Sequence, residues 1–294
     1  MSGQKAQGWL ALVAAMAMGC GGGDGGDAAG GGSDDGAPAQ AAAPAVDPAI
    51  AATILGTVSF EGTPPAASAI DMTEEPVCAD KYTAGAPMTQ QVSVTDGKLA
   101  NVFVYVKEGL GDMQFATPSA AVVLDQDGCR YHPHVLGVQA GQDVSIRNSD
   151  AVLHNINSQP SVNRGFNVSQ PQAGMESTKN FRDAEVMIPV KCDVHGWMNA
   201  YIGVLDHPYF AVSAADGSFS LDGLPPGDYV IEAWHELYGT LTQNVTVGEK
   251  ESAGITFLFL ESMAGSDVPL GEPLVLGGHE AESDGHVHGG ADRS

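Results

Sequence analysis

Residues 186–205 read VMIPVKCDVHGWMNAYIGVL, and this stretch decides how the chain is expected to fold. Two runs rich in Val and Ile, at 186–190 and 200–205, have the length and composition of β-strands. The loop between them holds Cys192, His195, Trp197 and Met198. The stretch therefore predicts two strands that present a thiol, an imidazole and a thioether at one end.

The same strand signal recurs along the chain. Runs rich in Val, Ile, Phe and Tyr, several of them alternating with polar residues, lie at 56–60, 91–95, 101–107, 121–125, 135–139, 144–148, 186–190, 200–205, 218–221, 229–233, 241–247 and 255–260. Turn pairs such as Asp96-Gly97 and Asp127-Gly128 separate them. No window sustains a helical period with caps at both ends. Many short strands joined by turns predict an all-β protein built as a sandwich or barrel.

The charge balance excludes two classes of function. The chain has 294 residues, 12 Lys+Arg and 36 Asp+Glu, for a formal net charge of −24. So few basic residues cannot neutralise nucleic-acid phosphates, and the charge opposes electrostatic attachment to anionic lipid. A charged protein partner is expected to be basic.

The N-terminus is expected to be a targeting segment. Lys5 precedes an apolar run at 9–18, too short to span a bilayer, and small residues lead to Cys20. Residues 17–20 resemble a bacterial lipobox, which implies a signal peptide at 1–19 and lipidation of Cys20. An ordinary cleaved signal is the alternative. The Gly-rich and Ala/Pro-rich stretch at 20–52 predicts a flexible tether, so an extracytoplasmic, lipid-anchored protein is expected in the periplasm, outer membrane or cell surface.

The remaining cysteines suggest a disulfide. If Cys20 carries lipid and Cys192 binds metal, Cys78 and Cys129 are left, and an exported chain with two spare cysteines is expected to pair them. The alternative is that Cys129, which is close in sequence to His132 and His134, is a metal ligand.

The donor set around Cys192 indicates a copper site. His154 follows the run at 144–148 and adds a second imidazole to Cys192, His195 and Met198. Two His, one Cys and a weak axial Met form the trigonal site of blue copper proteins. Structural zinc is less favoured because it takes four strong Cys or His ligands.

At these residues the chain resembles the cupredoxins of the plastocyanin/azurin family, with an amicyanin-like Cys-x-x-His-x-x-Met loop. The resemblance implies a Greek-key β-sandwich over 115–207 that holds one type 1 copper ion. It also implies that Asn155 fastens the two ligand loops together and that the solvent-facing edge of His195 is the electron port, with Trp197 in the surrounding apolar patch. Lys191, where the family often has an aromatic residue, is expected to favour Cu(I).

A second resemblance flanks the first. Residues 208–247, with Leu224-Pro225-Pro226-Gly227-Asp228-Tyr229, are similar to carboxypeptidase regulatory-like, transthyretin-type sandwiches. The opening strand of that module fits residues 56–64, so the cupredoxin domain is expected to be inserted between a first part at 53–114 and a second part at 208–261. The acidic, His-containing tail at 262–294 is expected to be disordered.

The expected function is that of a type 1 copper protein that carries single electrons between extracytoplasmic redox partners. The partner would be a basic cytochrome or a periplasmic oxidoreductase. The carboxypeptidase regulatory-like module shows no nucleophile–base pair, and no enzymatic activity is expected. The alternatives are a copper-binding or delivery protein without electron traffic, and a structural surface module.

Overall fold

The computed structural model describes residues 46–265, and in them the predicted all-β fold is confirmed. These residues form four β-sheets, one short helix, α1 (Pro76–Ala79), and one 3-10 turn, Glu261–Met263. The strands are β1 (Ala52–Glu61), β2 (Val94–Thr95), β3 (Lys98–Leu99), β4 (Phe103–Glu108), β5 (Val122–Gln126), β6 (Tyr131–His132), β7 (Val135–Gln139), β8 (Val144–Asn148), β9 (His154–Ser158), β10 (Asn167–Gln170), β11 (Glu176–Lys179), β12 (Glu185–Lys191), β13 (Asn199–Leu205), β14 (Phe210–Val212), β15 (Ser218–Leu224), β16 (Gly227–His235), β17 (Gly239–Val247) and β18 (Ser252–Leu260).

The first sandwich is built from both ends of the described chain. One sheet has the order β15-β1-β3-β2, with β18 parallel to β1, and the other has the order β14-β4-β16-β17. Their facing side chains, among them Ile54, Leu99 and Phe257, form one apolar core. In β1 the residues at 52, 54, 58 and 60 are buried, as the period of two along a strand requires. The resemblance to transthyretin-type modules stays a prediction.

The second sandwich is continuous in sequence and contains β5 to β13. Its sheets have the orders β10-β9-β12-β13-β7 and β11-β8-β5-β6. Ile146, Ile156 and Ile202 lie fully buried between them. Alternation in β8 buries Val144, Ile146 and Asn148, as its sequence predicts.

Two glycines allow close packing where the two sandwiches meet. Phe103 of the first sandwich packs with Val135 and Leu205 of the second. A Cβ on Gly203 would lie 2.5 Å from Phe103 Cζ, and one on Gly137 would lie 2.4 Å from the Phe210 ring. Glycine is required there because the aromatic rings occupy the space of a side chain.

The structure corrects the predicted domain boundaries in two places. The sequence predicts that residues 53–114 belong whole to the first sandwich, but Ile70, Met72 and Cys78 are buried in the core of the second. We call residues 70–82 the cover segment. Order also extends past the predicted boundary at 262, because Met263 is buried against the first core.

Several predictions from the sequence concern residues that the structure does not describe. The signal peptide, lipidation of Cys20, nearly all of the tether and most of the tail fall outside residues 46–265. Within that range no helix is long and apolar enough to cross a membrane.

Candidate metal centre

Strand pairing brings the predicted ligands to one end of the second sandwich. β9 begins at His154 and pairs antiparallel with β12, with Ser158 opposite Val190. β12 ends at Lys191, and the loop at 192–198 then turns back into β13. The first histidine and the Cys-containing loop therefore emerge side by side, although His154 and His195 lie 41 residues apart in sequence.

The three predicted equatorial donors converge in the interior. His154 Nδ1 lies 2.9 Å from His195 Nδ1, and Cys192 Sγ lies 3.9 Å from His195 Nδ1. One donor atom from each of the three residues lies within 4.8 Å of the others, and all three side chains are buried. Donors that share one ion at about 2.0–2.3 Å stand roughly 3.5–4 Å apart. The distance from Cys192 Sγ to His195 Nδ1 matches this spacing, whereas the two Nδ1 atoms are closer and must move apart to share a transition-metal ion.

Met198 closes the same loop. Its backbone N–H donates to the carbonyl of His195 at 2.9 Å, and its own carbonyl accepts from the Cys192 N–H at 3.1 Å. These bonds fold residues 192–198 into a tight turn whose end residues face each other. Met198 is 1% exposed and packs in the core of the second sandwich.

Hydrogen bonds to the sulfur of Cys192 favour its thiolate. The His195 N–H points at Sγ from 3.4 Å and so favours the thiolate, whereas Asn155 Oδ1, 3.3 Å from Sγ, can only accept a hydrogen bond from the thiol. Burial by itself raises the pKa of the Cys192 thiol, but hydrogen bonds from His154 and from backbone N–H groups outweigh it and leave that pKa lowered. A buried thiol prepared for deprotonation is suited to bind a soft metal ion.

Asn155 joins the two ligand segments, which is the role that the resemblance implied. Its Oδ1 accepts the Asp193 N–H at 2.7 Å, and its Nδ2 donates to Asn167 at 2.8 Å and to the Asp193 carboxylate at 3.1 Å. Because it holds β9 against the loop at 192–198, it fixes His154 relative to Cys192.

Asp150 is a member of the site that sequence reasoning missed. Its Oδ2 lies 2.8 Å from His154 Nε2 and accepts the Cys129 N–H at 2.7 Å, while Oδ1 accepts the Gly128 N–H at 3.0 Å and pairs with Lys81. Burial opposes the ionised carboxylate, but His154, Lys81 and the Cys129 N–H outweigh it and hold the pKa of Asp150 far below its usual range. The carboxylate directs Nδ1 of His154 inward, as second partners of metal-bound histidines do. A carboxylate four residues before the histidine was the only sequence signal.

The structure corrects the prediction that His195 presents an edge to solvent. His195 is only 2% exposed. Its Nε2 lies 4.0 Å from Cys78 Sγ and 3.8 Å from Glu75 Oε2, both in the cover segment. Trp197 packs against its ring at a tilt of 36°, with centroids 5.1 Å apart. Burial, followed by repulsion from His154, lowers the pKa of His195.

Cys78 and Cys129 form the predicted disulfide, with Cα atoms 5.6 Å apart. This bond leaves Cys129 without a thiolate, so the alternative of Cys129 as a ligand beside His132 or His134 is not supported. His134 instead pairs with Glu236 and contacts the Asn199 carbonyl.

Lys191 lies beside a carboxylate of the ligand loop. Its side chain is about half exposed, and its ammonium lies 3.6 Å from the Asp193 carboxylate. The neighbouring carboxylate offsets the cation, so the expected push toward Cu(I) is weakened.

Comparisons with known proteins gave matches only among solved structures. No family model and no curated protein matched the chain. A purple cupredoxin from Nitrosopumilus maritimus is 21% identical, with 28% of this chain and 98% of that chain covered and a TM-score of 0.25. A Cu(I)-form mutant of amicyanin is 20% identical over 34% of this chain and 97% of that chain, with a TM-score of 0.26. A copper-containing nitrite reductase from Thermus scotoductus is 19% identical over 33% of this chain and 25% of that chain, with a TM-score of 0.27.

Proposed function

We propose that the protein binds one copper ion through His154, Cys192 and His195, with Met198 as a weak axial ligand, and carries single electrons. The observation that supports this most is the buried, converging set of two Nδ1 atoms and one Sγ. Such a set favours copper over harder cations. When bound, copper supplies a one-electron couple between its cuprous and cupric states.

The protein side chains would keep this site rigid in both oxidation states. Asn155 fixes the loop, Asp150 fixes His154, and the turn from Cys192 to Met198 is closed by backbone hydrogen bonds. A ligand set held by its surroundings changes little on oxidation or reduction, so little reorganisation opposes electron transfer.

The alternative of a copper-delivery protein is weaker because the donors are buried. His154 and Cys192 are 0% and 3% exposed, and the cover segment lies over His195. A delivery protein needs ligands that a second protein can reach. No specific observation favours a purely structural module.

Spectroscopy of the copper-loaded protein tests the proposal. A trigonal Cu(II)–thiolate site should give an absorption band at about 600 nm and an EPR signal of one Cu(II) per chain. Cys192→Ser should remove the band, since the thiolate is its source. A colourless protein that retains only Cu(I) would favour delivery, and absence of copper binding would favour the structural role.

We further propose that the protein works outside the cytoplasm, anchored by lipid on Cys20. The support is the sequence at 1–20 together with the disulfide, which is typical of oxidising compartments. Mass spectrometry of the purified mature protein would show acyl chains on Cys20. A mature chain that begins elsewhere, with no lipid, would contradict the anchor.

A further inference from the structure

The cover segment closes the outer edge of the predicted copper ligand His195. Cys78, at the centre of the short helix α1, lies with Sγ 4.0 Å from His195 Nε2. Glu75 approaches the same nitrogen from one turn earlier. Any protein that exchanges electrons across this edge must therefore meet the cover segment first.

Several bonds hold the cover segment on the second sandwich. The Cys78–Cys129 disulfide links it covalently, Lys81 pairs with the buried Asp150, and Tyr82 Oη donates to the Gly128 carbonyl at 2.7 Å. These attachments surround the point of contact with His195. They make the segment a fixed part of the site surface.

The outer face of the cover segment is apolar at its centre and acidic around it. Val77 is 41% exposed, and Pro76 beside it is exposed as well. Asp71, Glu74 and Asp80 are exposed, and no Lys or Arg lies between 71 and 80. The next cation, Lys81, extends toward the buried Asp150.

We propose that residues 74–80 are the docking surface for a basic redox protein, and that electrons pass between that partner and His195 by way of Cys78. This inference rests on the proposed electron-carrier function and names the partner surface for it. In each encounter the reduced partner loses one electron and the oxidised copper centre gains one, with no bond made or broken. An apolar centre ringed by acidic side chains fits a partner with an apolar patch ringed by Lys or Arg, because opposite charges speed and orient the encounter.

A rival surface lies on the ligand loops themselves. Val194 and Leu153, each next to a predicted ligand, are 48% and 40% exposed. Val194 has one acidic neighbour, Asp193, which already bonds to Asn157 and Asn167 and lies near Lys191. Its carboxylate is therefore less available to a basic partner than those of Glu74 and Asp80.

The first experiment maps binding without copper. The 15N-labelled, metal-free protein is titrated with a ferrous, basic c-type cytochrome as the probe. Amide shifts are expected to concentrate at 74–80 and to vanish in 0.5 M salt, since exposed charges are then largely screened. Shifts confined to the loops around Val194 and Leu153, or no shifts at low salt, would overturn the proposal.

The second experiment compares electron-transfer rates by stopped flow with the copper-loaded protein. Glu74→Gln/Asp80→Asn should slow the reaction with the same cytochrome about tenfold at low salt. The matched control Asp112→Asn/Glu249→Gln removes equal charge from exposed loops of the first sandwich and should change the rate less than twofold. Val77→Ser should slow the reaction more than Val194→Ser. Equal rates in the two double variants, or a larger loss in Val194→Ser, would refute the docking surface.

The docking surface and the electron-carrier function can be rejected independently of each other. A normal absorption band and a one-electron voltammetric response, combined with rates insensitive to Glu74 and Asp80, would reject only the docking surface. A missing band would reject the copper carrier, while the binding experiment on the metal-free protein would still decide whether residues 74–80 bind the basic probe.

Discussion

Replacing Asp150 by Asn tests whether the buried carboxylate holds the site together. Asp150 is fully buried and accepts from the Gly128 and Cys129 N–H groups, from His154 Nε2 and from Lys81. Asparagine has one oxygen, so its NH2 group must face two of these four donors. Two charge-assisted hydrogen bonds are then lost, each worth about 1.5–3 kcal/mol, and the free energy of unfolding should fall by about 3–6 kcal/mol.

Urea unfolding of the metal-free, disulfide-bonded protein at pH 7, followed by tryptophan fluorescence, measures this loss. Asp125→Asn is the matched control, since it makes the same change on β5, where the partner Arg147 is 44% exposed. A partly exposed ion pair contributes at most about 1 kcal/mol. If Asp150→Asn lowers the free energy of unfolding no more than Asp125→Asn does, the Asp150 carboxylate does not hold the site together.

Three further predictions concern acid sensitivity, packing and potential. Burial, followed by repulsion from His134, lowers the pKa of His235 to about 4. The unfolded chain therefore takes up a proton that the folded protein excludes, and the free energy of unfolding should fall by about 3 kcal/mol from pH 6.5 to pH 4. Urea titrations of His235→Phe at the two pH values should not show this loss. A loss as large as that of the wild-type protein would mean that His235 is not its source. Gly203→Ala should lower the free energy of unfolding by about 1–3 kcal/mol in the same assay, because its Cβ would lie 2.5 Å from Phe103. An unchanged free energy of unfolding would mean that the Phe103 ring can move aside. Voltammetry should order the reduction potentials as Met198→Leu above wild type above Met198→Gln, because loss of the sulfur donor disfavours Cu(II) and an oxygen donor favours it; identical potentials would show that Met198 is only packing.

Most of the strands and the inner donors can be predicted from local sequence patterns. Alternating apolar residues, as in β8, predict strands because side chains on a strand point to opposite faces. Cys192, His195 and Met198 lie on one short loop, so their spacing alone keeps them together. The pairing of Cys78 with Cys129 followed from the cysteine count and the expected compartment, without any geometry.

The surroundings of those donors depend on contacts between segments that are distant in sequence. The contact between Cys78 and His195 joins residues 117 apart in sequence, and it exists because residues 70–82 leave the first sandwich to pack on the second. That packing buries His195, which the sequence predicted to face solvent. Asp150 likewise belongs to the site only because the loop after β5 brings residues 128–129, and the cover segment brings Lys81, to its carboxylate. Local sequence patterns encode the period of a strand and the chemistry of a loop. Contacts between distant segments depend on the topology of the whole fold, which no local pattern specifies.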